Sequence, residues 1–404
     1  MISQRVQQAL QQNSEIYQKL DTISLFNQQK VLNAFAKNYV ALRHFSGTSG
    51  YGYDDVGRDT LNQVVADIFG AESSISSPTI ASGTHALTLG LFGILRPNDK
   101  VLCVCGQPYD TLLDVIFGEG NGSLKDFGVQ FETIPLKNNS FDLPLIKQKL
   151  QEEKYKMVYI QRSRGYEWRP AFSIAQIEEV CKIAKTASPN SVIFCDNCYG
   201  EFVEKQEPTE VGVDVCAGSF IKNIGGGIAP TGGYVVGKKH LVDLVAGRLT
   251  APSVGAEIGS YTPGYRLFYQ GLFLAPHTVN QALKTALLFS TVLGNMGYEV
   301  LPKCDDVIGD IVCSVKLGSA EKVVKFCQAV QSVSPIDGFV SPEPWSMPGY
   351  NDQVIMAAGC FVQGSSIELS CDGPIRPPYI VYLQGGLTIE HGILALEKVL
   401  ETLD

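Results

Sequence analysis

The 404-residue sequence is poor in charge: 18% of its residues are charged, and they leave a net charge of −9. Acidic side chains outnumber basic ones, 41 to 32. A general nucleic-acid binder needs a basic patch or stripe, so that class is excluded. No apolar run approaches the roughly 18 residues needed to cross a bilayer. The N-terminal MISQRVQQALQQ lacks the apolar centre of a secretory signal. The expectation is a soluble cytoplasmic protein with reduced thiols, with neither a nucleic-acid nor a membrane partner. Its eleven cysteines follow no disulfide-scaffold spacing. Cys195-x-x-Cys198 has no second pair at zinc-ribbon spacing, and the five histidines give no HxxxH, so no metal site is expected. Cys103 and Cys105 are expected on opposite sides of a strand as buried structural thiols. No GxxxxGK[ST] occurs, and Gly50-x-Gly52 lacks the third glycine of a dinucleotide fingerprint.

What is present suits a dense α/β enzyme: 45% apolar residues and 40 glycines. Amphipathic patterns over 4–20 and 22–42 predict two leading helices. A Gly/Tyr-rich loop follows, and a helix is expected near Arg58 with Asp59 favouring its start. From 78 to 236, strand-like runs (78–82, 100–106, 129–135, 156–161, 190–196, 214–220, 232–237) alternate with helical ones (84–95, 144–153, 174–187). That alternation predicts βαβ units and a mostly parallel central sheet with helices on both faces. After Pro276 a long helix, 277–297, opens a different pattern. Short strands and helices near 321–332 and 388–403 predict a smaller C-terminal α/β domain. The expected division is a helical segment at 1–50, a large domain at 51–270 and a small domain at 271–404.

Chemistry gathers at the strand ends. The apolar run Val213–Ala217 leads to Lys222, which three glycines, Gly225 to Gly227, follow. Burial there is expected to lower the lysine's pKa and make it a nucleophile able to hold an aldehyde as a Schiff base. The run Val192–Cys195 ends in Asp196, a carboxylate suited to the protonated ring nitrogen of pyridoxal phosphate. Ligands of open α/β sheets sit outside these carboxyl ends. Gly83-Thr84 opens a helix whose free N–H groups suit a phosphate. Tyr109 follows one strand and offers an aromatic face. Gln161 to Tyr166, with Ser163 and Arg164 among them, follows another and offers polar donors.

The motifs YGYDDVGRDTL, ASGTHAL, QRSRGYEWRP, CDNCYGEFVE, GSFIKNIGGGIAPTGGY and RPPYIVYLQGGLT span residues 51 to 388. The chain that carries them resembles the fold-type I pyridoxal-phosphate enzymes of the cysteine/methionine metabolism group. Within that group it is most similar to the aluminium-resistance, cystathionine β-lyase-like and methionine γ-lyase-like branch. The resemblance implies an aspartate-aminotransferase-like fold and pyridoxal 5′-phosphate on Lys222, with Asp196 at the ring nitrogen and Tyr109 stacked on the ring. Gly83, Thr84 and Ser219 would hold the phosphate, and Ser163 would contact the cofactor. Ile221 stands where the group usually has a threonine. Tyr53 and Arg58 would reach a neighbouring subunit's phosphate, which implies a homodimer with shared sites; tetramers are common in the group. Arg376, with Arg164, would bind the carboxylate of a small amino-acid substrate. The activity implied is β- or γ-elimination from a sulfur amino acid, giving thiol, keto acid and ammonia, with Lys222 and Tyr109 as catalysts. The alternatives are transamination or γ-replacement on the same cofactor, or a cofactor-binding stress-response protein with little lyase activity.

Overall fold

The computed structural model describes residues 2–303 and 306–403. Two helices lead, α1 (Gln4–Gln12) and α2 (Ser14–Lys37), followed by α3 (Val56–Ile68). Then come β1 (Ser73–Ser77), α4 (Gly83–Ile94), β2 (Lys100–Cys103), α5 (Asp110–Phe117), β3 (Gln130–Thr133), α6 (Leu143–Glu152) and β4 (Met157–Gln161). The large sheet is completed by β5 (Val192–Asp196) after α7 (Ile174–Ala187), then β6 (Val215–Ser219) and β7 (Gly233–Gly237). Its order is β1-β7-β6-β5-β4-β2-β3. The five strands from β6 to β3 run parallel, while β7 lies antiparallel to both β1 and β6. Every residue of β4 to β7 is buried. Helices on both faces of a sheet produce that burial, and it explains why these strands read as unbroken apolar runs.

After α8 (Lys239–Leu249) and α9 (Arg266–Asn295) come β8 (Glu299–Leu301), β9 (Val312–Lys316), α10 (Ala320–Ser332), β10 (Val354–Ala357), β11 (Ser370–Pro374), β12 (Ile380–Gln384) and α11 (Ile389–Leu403). These strands form a five-stranded sheet ordered β10-β11-β12-β9-β8. Helix α9 joins the two cores. Its Val279, Ala282 and Leu283 pack in the larger one, and Leu288, Phe289 and Val292 in the smaller. The leading helices divide likewise: Val6 and Ala9 of α1 enter the smaller core, Leu20 and Val31 of α2 the larger.

Three expectations are corrected, while the helix expected near Arg58 is present with Asp59 in its first turn. The first strand is Ser73–Ser77, and 78–82 is the turn into α4. The leading helices part at Asn13 rather than near residue 21. Helix α3 is capped by Asp55, whose carboxylate accepts from the N–H groups of Gly57 and Arg58, both at 3.0 Å. Helix α9 starts at Arg266 and carries Pro276 inside it. A proline there removes one helical hydrogen bond. Polar side chains of α2 serve neighbouring carbonyls: Ser24 donates to Pro276 O (3.1 Å) and Gln28 to Phe273 O (3.1 Å).

The glycine run beyond Lys222 has a packing reason. A Cβ on Gly226 would lie 2.4 Å from Gly271 O, and one on Gly271 would lie 2.3 Å from Gly225 O. Gly226 also holds φ +58°, a conformation costly for other residues. The turn therefore docks backbone to backbone on α9, and this fixes where Lys222 points.

Candidate active site

A cavity of about 330 Å³ opens at the carboxyl ends of β4, β5 and β6, with the second sheet forming its far wall. Lys222, Asp196, Gly83, Thr84, Tyr109, Ser219 and Ser163 all line it. Lys222 Nζ lies 4.0 Å from the centroid of the Tyr199 ring. Burial pulls the pKa of this ammonium down, but the acidic groups of Cys198, Tyr199, Asp196 and Tyr109 outweigh it and hold the pKa well above the ordinary lysine value. That reverses the expected lowering: desolvation alone misjudges a lysine whose neighbours are acids.

Asp196 ends β5, and its Oδ1 accepts from Cys198 N at 3.0 Å. Burial raises the pKa of this carboxyl and the Lys222 charge draws it back. Ser82 caps α4 by accepting from His85 N (3.0 Å), so the helix begins at the cavity wall. A Cβ on Gly83 would stand 3.1 Å from Cys198 Sγ and 3.9 Å from Lys222 Nζ. Thr84 Oγ1 and Tyr109 Oη are 2.8 Å apart, and burial pushes the Tyr109 phenol up. Ser219 donates to Gly232 O at 3.2 Å.

The family model described as methionine gamma-lyase matches residues 2–404. The chain belongs to the methionine gamma-lyase family. A Listeria monocytogenes structure, provisionally named a cystathionine beta-lyase involved in aluminium resistance, is 48% identical with a TM-score of 0.96, over 99% of each chain. A Clostridium novyi structure named a carbon-sulfur lyase involved in aluminium resistance is 47% identical with a TM-score of 0.94, over 99% of this chain and 96% of that one. An uncharacterized Bacillus subtilis protein, YnbB, is 46% identical over 96% of this chain and 93% of its own. The architecture is the fold-type I one of the pyridoxal-phosphate enzymes, shared in fold alone with more distant structures.

Of the two arginines expected at the substrate, Arg164 is held away from the cavity wall and Arg376 stands at its rim. Arg164 is 2% exposed and forms an ion pair with Asp310 (3.1 Å), itself 1% exposed. Its Nη1 donates to Leu301 O (3.2 Å) and Ser314 Oγ (3.3 Å), and it is absent from the cavity wall. The side chain clamps the loop after β4 to the second sheet and is spent there. Ser163 faces the cavity, but its hydroxyl donates to the same Asp310 at 2.7 Å. Arg376 sits at the rim, 38% exposed, 2.9 Å from Asp352 and 3.9 Å from Asp110.

Tyr53 and Arg58 do not reach this chain's cavity. Tyr53 is 58% exposed beside Tyr51, their rings 5.6 Å apart. Arg58 is buried, donating to Gly52 O (2.9 Å) and pairing with Asp59 (2.9 Å). The cysteine expectation holds in part: both thiols are buried, but Cys103 and Cys105 bring their sulfurs within 3.4 Å instead of facing apart. Cys105 lies just beyond the end of β2, and residues two apart along extended chain share a face.

Sequence reasoning passed over Tyr199, Asp372, Tyr350 and Gln384, which also line the cavity beside Tyr166. Tyr199 lies three residues beyond Asp196 and holds φ +71°, a strained conformation for a tyrosine. A signal for Asp372 was available in Asp372-Gly373-Pro374-Ile375-Arg376, a stretch read for its arginine alone.

Proposed function

We propose that this member of the methionine gamma-lyase family is a pyridoxal-phosphate-dependent carbon–sulfur lyase acting on a small sulfur-containing amino acid. The observation that carries the reading is the pairing of Lys222 and Asp196 at the ends of adjacent strands in one cavity. The residues suit the cofactor. The wall at Gly83 is cut back to the backbone where a helix begins, which suits a phosphate, and the hydroxyls of Thr84 and Ser219 line the same cavity. Asp196 offers a buried carboxylate for the ring nitrogen. A second copy of the chain would add its own Tyr53 and Arg58, so the working unit is proposed to be at least a dimer.

Bound here, pyridoxal phosphate supplies an aldehyde for amines and an electron-poor ring that stabilises negative charge at the substrate Cα. The protein does the rest. Asp196 would keep the ring nitrogen protonated, and Lys222 Nζ, uncharged once the substrate amine has taken its place on the aldehyde, would take the Cα proton. Tyr109, kept neutral by burial, protonates the departing sulfur from Oη. The C–S bond breaks, the sulfur leaves as a thiol, and water converts the remaining fragment to keto acid and ammonia.

A visible spectrum followed by borohydride reduction and peptide mapping tests the reading. A yellow protein with the pyridoxyl label on Lys222, releasing ammonia and keto acid without an added acceptor, is expected. A protein that stays colourless with pyridoxal phosphate, or a Lys222→Ala variant with full turnover, would end it. Turnover that requires an added keto acid would point to transamination.

A further inference from the structure

The cavity is unbalanced in charge. Among its described lining residues, Asp110, Asp196 and Asp372 are carboxylates and Lys222 is the one cation. Asp196 and Lys222 face each other's charge, and Asp110 lies 3.9 Å from Arg376 at the rim. Among the described residues Asp372 has no cation in ion-pair contact, although the Lys222 charge also acts on it across the cavity. It stands on β11 in the second sheet, across the cavity from the strand ends, opposite Tyr382 of β12 in register. Gln384 donates to it at 3.2 Å. The Tyr166 hydroxyl beside it is buried and has no hydrogen bond of full geometry among the described residues. Tyr166 lies 5.0 Å from the Tyr382 ring and 5.6 Å from the Tyr350 ring, so three aromatic rings gather at the carboxylate. Burial lifts the Asp372 carboxyl to about 6, with Gln384, Tyr166 and the Lys222 charge drawing it back. A charged carboxylate in such surroundings is costly unless a cation meets it, and aromatic faces favour a cation too.

We infer that Asp372, Gln384 and Tyr166 form a subsite for an ammonium group on the departing side of the substrate. The substrate is then a sulfur amino acid whose thiol portion ends in an amine. That last step rests on the lyase reading; the binding of a cation at Asp372 does not.

The test compares S-(2-aminoethyl)-L-cysteine with its neutral isostere S-propyl-L-cysteine on the cofactor-loaded protein, by kcat/KM for thiol release and by equilibrium dialysis. The ammonium compound is expected to be favoured about tenfold or more, the scale of one charge-assisted hydrogen bond. Asp372→Asn should bring the ratio near unity, and Tyr166→Phe should reduce the ratio in part. Equal handling of both compounds by the wild type overturns the inference, as does an Asp372→Asn variant that loses both in proportion. If neither compound is turned over, the lyase reading fails for these substrates. Dialysis then decides the subsite: an ammonium preference abolished by Asp372→Asn sustains it, and equal binding removes it. Should Asp372→Asn fail to fold, the same ratio in Tyr166→Phe decides.

Discussion

Asp310→Ala tests the assignment of Arg164 to structure rather than to substrate. Asp310 accepts three contacts at once: the Arg164 guanidinium at 3.1 Å, the Ser163 hydroxyl at 2.7 Å and Val312 N at 3.1 Å. Both members of the ion pair are nearly inaccessible, at 2% and 1% exposure. Removing one partner leaves the other charge buried and unpaired, which costs about 3–5 kcal/mol. At about 2–4 °C per kcal/mol for a unit of 150–250 residues, the first melting transition should fall by roughly 6–20 °C. Two further variants sharpen the test. Asp310→Asn keeps an acceptor and should fall less. Arg164→Met combined with Asp310→Leu should recover much of the loss, because no lone charge then remains. The assay is calorimetric or dichroic melting of the cofactor-loaded protein, with KM measured in parallel. A melting point for Asp310→Ala within about 1 °C of the wild type would refute the argument. So would an Arg164→Met variant that melts normally yet shows a steep rise in KM, since that is the behaviour of a substrate contact.

Gly226→Ala places a Cβ 2.4 Å from Gly271 O at φ +58°. It should cost at least about 2 kcal/mol and lower kcat through a displaced Lys222; an unchanged urea midpoint and rate would contradict it. Glu201 is buried, its Oε1 accepts from Tyr234 Oη at 2.7 Å, and its Oε2 has no partner among the described residues. Burial raises its pKa from 4.5 to about 8. A raised folded pKa contributes stability in full below the unfolded value and loses it as pH rises through the folded one. Between those values Glu201 should thus cost about 1.4 kcal/mol per pH unit, and Glu201→Gln should remove that slope. Urea unfolding of both proteins across this window checks it, and parallel curves would mean the carboxyl is not buried as described.

The fold was legible where one strand or helix carries its own signal. Strands β4 to β7 lie between two layers and read as apolar runs, and α7 begins at a Ser173/Gln176 capping box that the sequence displays. Strand β1 carries a single apolar residue, Ile75, among four serines. What makes it a strand is pairing with β7 along Ser73–Ser77 and bonds to Asn62, which accepts from Ser76 N at 2.7 Å and from Ser74 Oγ at 2.8 Å. Neither is visible in the pentapeptide. Pro276 misled for the same reason, since the α2 side chains beside its turn come from some 250 residues away.

The site divides along the same line. Lys222 and Asp196 were legible because each closes an apolar run, and strand ends are where open sheets bind ligands. Arg164 was misplaced because an arginine in a polar loop reads as an anion-binding group until its carboxylate is found, and Asp310 lies 146 residues away. The same ambiguity works in reverse for Asp372. Beside Arg376 in sequence it reads as a neighbour neutralised by that cation, yet Arg376 turns to Asp352 and Asp110 at the rim. Asp372 is left facing the cavity with three tyrosines. Charge pairing is settled between elements, so a sequence shows which charges exist but not which of them the fold has already neutralised. In this chain Lys222 and Asp196 stand at strand ends that announce themselves. The groups that would choose a substrate stand on the second sheet, where their meaning depends on which carboxylate each arginine has taken.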